Sequence, residues 1–172
     1  ENPLSDEGIE QAKRAAAILK EKNIDLVITS DLARCKMTAE IIAKMTGAEI
    51  IFDPELRERH IGIAQGMSAK DRREMFGHLL YEYDEKVPGG ETWRELEKRV
   101  WSSFLKHKRN HKHKNIVIVS HGGPLRLISK NLKKFSFEEA LTNTHTPANA
   151  EITELGISDP CKNCGSDIYE QA

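Results

Sequence analysis

Residues 117–128 read VIVSHGGPLRLI, and the reading of this stretch decides the fold. Val117, Ile118 and Val119 are β-branched, stiff at χ1 and suited to a buried strand. The run stops at Ser120. Pro124 fits the first turn of a helix, and Leu125, Leu127 and Ile128 continue it as an apolar pattern. His121 therefore stands at the corner where a strand becomes a helix. Gly122 and Gly123 follow it, with backbone N–H groups that attract anions and no side chain to keep a phosphate away.

The same alternation recurs on both sides of this corner. Ser5 can cap a helix from Asp6 to about Lys22, with Ile9, Ala12, Ala16 and Leu19 on one face. DLVITS (25–30) reads as a short buried strand. The helix that follows carries Leu32, Ala39, Ile42 and Ala43 inward and stops at Gly47. EIIF (49–52) is a second strand. Residues 55–67 show no period and read as a loop. Ser68 can cap a helix to about Asp84, VPGGET (87–92) is a turn, and Thr92 can cap a helix with Leu96, Val100 and Phe104 on its stripe. NIVIVS (115–120) is the third clear strand, and ANAEITEL (148–155) alternates like a fourth. Strands alternating with helices predict a three-layer α/β/α domain with a mostly parallel sheet, spanning residues 1–156. Residues 157–172 read as a tail.

The chain has 172 residues, enough for one domain with a real core. Its net charge of −1 supplies no global field toward nucleic acid or an anionic membrane, so neither is expected as a partner. No apolar run approaches a bilayer span. The cysteines, Cys35, Cys161 and Cys164, are odd in number and lack a secretory signal, which favours a reducing, cytoplasmic setting. Cys161 and Cys164 form one CxxC without a second pair. A structural zinc needs four ligands, so no metal is assigned.

In parallel sheets ligands gather at the carboxyl ends of strands. Ser30 and Ser120-His121 lie at such ends. Arg34 falls in the first turn after DLVITS, where a guanidinium fork could hold phosphate oxygens. Glu58 lies in the charged stretch ELRERH; if buried, it could protonate a leaving alcohol. An HGG stretch also occurs in lipase oxyanion loops, but the G-x-S-x-G elbow those need is absent. The basic run KHKRNHKHK (106–114) has no interleaved aromatics and reads as the solvated end of a helix, with His107, His111 and His113 on the surface.

Together these segments resemble the histidine phosphatase superfamily, the phosphoglycerate mutase-like fold. NPLSDEGIEQA looks like its helix entry, SDLARCKMTAEII its S-x-L-x-R-x-x-x-T-A segment, LRERHIGIAQG its acid-bearing loop, PGGET its turn and VSHGG its second-histidine motif. The resemblance runs in order to about Leu155 and points to the phosphatase branch. It implies a cofactor-free, metal-independent phosphomonoesterase acting on a small phosphorylated metabolite through a phosphohistidine. Arg34 would clamp phosphate, His121 and Gly122 would bind the phosphoryl group, and Glu58 would be the general acid. Substrate recognition would fall to residues 67–90. A phosphoglycerate mutase and a non-catalytic phospho-ligand binder are the alternatives.

The family's nucleophile belongs to an Arg-His-Gly motif on its first strand. No such motif occurs among these residues; Arg59-His60 is followed by Ile61. The chain opens on Glu1 just before Pro3-Leu4-Ser5. The expectation is therefore a domain lacking its first strand, inactive as written, with apolar surface and backbone groups exposed where that strand would lie.

Overall fold

Parallel pairing dominates the computed structural model, which describes residues 2–143 and 149–154. Three strands, β1 (Leu26–Thr29), β2 (Glu49–Phe52) and β3 (Ile116–Val119), form one sheet in the order β2-β1-β3, all parallel. The central strand β1 is fully buried, as its uninterrupted LVIT requires. Side chains of β1 alternate between the two faces. Leu26 and Ile28 pack with Leu96, Val100, Phe104, Leu127 and Ile128. Val27 packs on the other side with Ala16, Leu19, Ala39 and Ile42. The expected three layers are present.

One helical layer holds α1 (Asp6–Lys20) and α2 (Ala33–Thr46). The other holds α4 (Trp93–Asn110), α5 (Gly122–Lys133) and α6 (Phe137–Asn143). The cap residues act as their chemistry dictates: Ser5 accepts from the Gly8 amide, and Thr92 and Glu95 form a reciprocal capping box. Ser68 caps α3 (Ala69–Tyr81), which stops three residues short of the expected Asp84. α3 packs through Leu80 on a small cluster with Ala64 and Val87. No described helix is long and apolar enough to cross a membrane.

Two expectations are corrected. Residues 149–154 form a turn and irregular chain rather than a strand. Alternation selects a buried face, but a strand also needs a ladder partner; here Ile152 packs on the α1/α2-side cluster and Glu154 pairs with Lys22. His107 is buried, not on the surface. It lies three residues beyond Phe104 on the inner face of α4, and its Nε2 donates to Asp53 Oδ2 at 2.7 Å, beside Ser103 Oγ at 2.6 Å from the same oxygen. Helix α6 was not anticipated, although Ser136 and Glu139 exchange the hydrogen bonds of a capping box at its start. Cys161, Cys164 and the expected tail lie outside the described residues.

Candidate functional site

The ends of β1 and β3 are held side by side, because the ladder continues one step past Thr29: the Ser30 amide donates to Val119 O at 3.0 Å. This brings Ser30 alongside Ser120-His121. His121 sits at the N-cap of α5 in extended conformation and is nine-tenths buried. Its Nδ1 lies 2.8 Å from Arg34 Nη2 and its Nε2 lies 2.9 Å from Ser30 Oγ. A guanidinium only donates, so Nδ1 accepts and the ring proton is on Nε2, donated to Ser30. Burial, and then the charges of Arg34 and Arg99, lower the His121 pKa to about 4. His121 is thus a neutral donor at neutral pH, held between two partners.

Cys35, one residue past Arg34, closes the inner side of the ring, with Sγ 3.5 Å from His121 Nε2 and 3.6 Å from Ser120 O. Burial pushes its thiol up to about 11, so it stays protonated and serves as packing.

Glu58 reaches the same corner from a different direction. Its loop runs between two short 3₁₀ turns, Pro54–Leu56 and Gly62–Ala64. Leu56 is buried, and Ser120 Oγ donates to its carbonyl at 2.7 Å, tying the loop to the end of β3. Glu58 Oε1 accepts from the Arg59 amide at 2.8 Å, and Oε2 accepts from the Gly123 amide at 3.3 Å. Gly123 has to be glycine for this approach, since a Cβ there would lie 2.3 Å from Glu58 Oε1. A Cβ on Gly122 would meet nothing within 4 Å, so that side of the helix start is open.

The other charges of ELRERH turn elsewhere. Arg57 forks onto Asp31 at 2.6 and 2.5 Å, and this pairing lowers the Asp31 pKa. Arg59 donates to Leu80 O at 2.8 Å and lies over the Trp93 ring. The His60 amide donates to Glu91 Oε2 at 3.1 Å. Of these charges, Glu58 is the one that meets the start of α5. The structure therefore brings Arg34, His121, Glu58 and the Gly122-Gly123 helix start into one corner. Ser30 and Arg99 complete it. Ser30 was signalled by its strand-end position, whereas Arg99 carried no sequence signal beyond its place on a helix.

Depressing the pKa of a buried histidine makes the fold acid-sensitive. The unfolded chain takes up a proton near the ordinary value of 6.5, the folded chain only near 4. This contribution is full above 6.5 and is lost as pH falls through that window. The urea midpoint should therefore drop between pH 6.5 and 4, less steeply in His121→Gln. A slope unchanged by that substitution would remove His121 as the cause.

Comparison with known proteins identifies the family and the fold. Residues 1–164 match the family model of the histidine phosphatase superfamily, branch 1. Phosphoglycerate mutase-like protein 4 of Arabidopsis thaliana is 39% identical over 131 residues, 72% of this chain and 57% of the relative. The chain spans less than three fifths of the length of the curated relatives it matches, which include a probable phosphoglycerate mutase of Photorhabdus laumondii at 59%. A mycobacterial glucosyl-3-phosphoglycerate phosphatase solved with VO3 superposes with a TM-score of 0.78 at 25% identity, over 87% of this chain and 77% of that one. The α-ribazole phosphatase of Shigella flexneri does so at 0.71 and 28% identity, over 81% and 71%. On the match along its length and the fold it shares with these enzymes, the chain belongs to the histidine phosphatase superfamily.

Proposed function

We propose that this corner binds the phosphoryl group of a small phosphomonoester and that the protein, with its nucleophile, hydrolyses the ester without a metal. The observation that carries this reading is the Arg34–His121 contact at 2.8 Å, beside the open helix start at Gly122. A guanidinium, a neutral imidazole N–H and helix-start amides are the donors that a trigonal phosphoryl needs as its charge spreads. The two solved relatives named as phosphatases support hydrolysis.

In the proposed reaction a histidine nitrogen attacks phosphorus and the ester P–O bond breaks. Glu58 gives its proton to the departing alkoxide. Water then attacks the phosphohistidine, Glu58 takes the water's proton, and the P–N bond breaks to release inorganic phosphate and free histidine. The chain holds seven histidines, none within Arg-His-Gly. We assign the nucleophile to a further strand on the open side of β3. In support, β3 pairs only with β1 among the described residues, and its Ile-Val-Ile-Val is partly exposed throughout.

The test is direct. Inorganic phosphate titrated into the 172-residue chain should shift the His121 ring signals and raise the His121 pKa, because a dianion offsets the Arg34 charge. The same chain should release no phosphate from p-nitrophenyl phosphate. Turnover by it would overturn the nucleophile assignment, and an unmoved His121 would overturn the phosphate site. The product of the complete reading frame should release phosphate. The curated relatives named as a phosphoglycerate mutase-like protein and a probable phosphoglycerate mutase favour a second reading, which 2-/3-phosphoglycerate interconversion with little phosphate release would establish.

Gly123→Ala separates position from stability. Its Cβ displaces the end of a flexible carboxylate, so the fold should hold, while Glu58 is pushed from the helix start. In the complete protein, Gly123→Ala and Glu58→Gln should both slow alkyl esters by roughly 10²-fold or more and p-nitrophenyl phosphate far less, because only poor leaving groups need the proton. Equal loss on both esters would exclude the acid role.

A further inference from the structure

We infer that Arg99 is a positioning residue, which fixes the loop peptide carrying Glu58 through an ion pair with Glu91; the inference rests on the acid role proposed for Glu58. Arg99 sits on α4 between buried Leu96 and Val100, so its backbone is held by the core. Its Nε and Nη2 fork onto the two oxygens of Glu91, each at 2.8 Å. Nη1 donates to Glu55 O at 2.5 Å, and Nη2 also faces Arg57 O at 3.0 Å and Glu58 O at 3.3 Å. Glu91 Oε2 in turn accepts the His60 amide at 3.1 Å. One ion pair thus fastens four main-chain groups between residues 55 and 60.

The loop needs this. Between its two 3₁₀ turns it has no ladder of its own, and carbonyls without partners are costly when water is excluded. The pair is itself mostly buried, with side-chain exposures of 21% and 18%, so its geometry is not averaged by solvent. A planar fork can serve a carboxylate along one edge and carbonyls along another at once; an ammonium cannot. Fixing the Glu58 peptide sets where its carboxyl meets α5. The fork also faces the site electrostatically, since the Arg99 charge is one cause of the lowered His121 pKa.

The Gly123 amide reports on this placement, because it lies on α5, bonds the Glu58 carboxyl and makes none of the four main-chain contacts of the Arg99–Glu91 pair. In ¹H–¹⁵N spectra of the 172-residue chain, Arg99→Met should move the Gly123 amide in the same direction as Glu58→Gln does. The Gly47 amide, bonded to Ala43 O at the far end of α2, should stay in place. If Arg99→Met does not fold, Arg99→Lys keeps the charge and loses the fork, and should shift Gly123 likewise. In the complete protein, Arg99→Lys should lower alkyl-ester turnover about tenfold or more relative to p-nitrophenyl phosphate. An unmoved Gly123 in a folded variant, or equal loss on both esters, would overturn the inference. A wild-type protein that releases phosphate from neither ester would instead remove the phosphatase reading, and the Gly123 result would still decide whether Arg99 places Glu58.

Discussion

His121→Ala and Arg34→Ala should each lower phosphate release by the complete protein roughly 10²–10³-fold, the loss expected when one preorganised donor to a developing oxyanion is removed. The two side chains are bonded to each other at 2.8 Å, so each substitution also releases its partner. Their effects should therefore fall short of additive in the double variant. Arg34→Lys should recover only part of the loss, because a point charge cannot fork over two phosphate oxygens. Inorganic phosphate binding to the 172-residue chain should weaken in parallel, which separates binding from chemistry. Thermal melts must accompany both, since His121 is buried. Turnover within about tenfold of wild type in a folded His121→Ala protein would exclude this corner as the phosphoryl site.

Gly62→Ala should destabilise the fold on the order of 3–5 kcal/mol, because backbone strain and overpacking add at one position. Gly62 has φ +55°, and a Cβ there would lie 2.0 Å from Pro88 O and 2.5 Å from Gly90 N. These are main-chain atoms that cannot swing aside. The two loops are bonded together on both sides of this contact, Ile63 N to Pro88 O at 3.0 Å and Glu91 N to His60 O at 2.8 Å. Gly66 makes the control: its φ is +83° but a Cβ there would meet nothing within 4 Å. Gly66→Ala should cost only about 1 kcal/mol, the strain alone. Urea denaturation of the two variants measures the difference. Equal midpoints would mean that the loops separate freely, and with them the frame that places Glu91 and Glu58.

The sequence made the corner legible because its signals are local. A β-branched run, a glycine pair and a helix-compatible proline put His121 at a strand end whatever packs around it. Ser5, Ser68 and Thr92 announced their helices by side-chain chemistry that acts within one turn, and all three cap as expected. The same signal stands before α6, in Ser136 and Glu139, with Phe137, Ala140 and Leu141 at helical spacing behind it.

What was not legible depended on groups far apart in the chain. In ELRERH the side chains disperse to Asp31, Gly123, Trp93 and the Gly89 carbonyl, and nothing in an aperiodic loop fixes which one turns inward. His107 is buried with its ring N–H satisfied by a hydrogen bond to Asp53, 54 residues away. Residues 149–154 alternate correctly yet form no strand, since a ladder needs a neighbour.

By itself, then, the sequence determined the three parallel strands, the helices α1 to α5 set among them and the strand-end position of His121, because periodicity, capping and strand-end position are properties of short segments. Only the tertiary structure decided that Arg34 bonds His121, that Gly123 receives Glu58 and that Arg99 holds the loop between them. Those are contacts across 87, 65 and 42 positions. Their geometry is set by how the layers pack on the sheet, which no local pattern encodes.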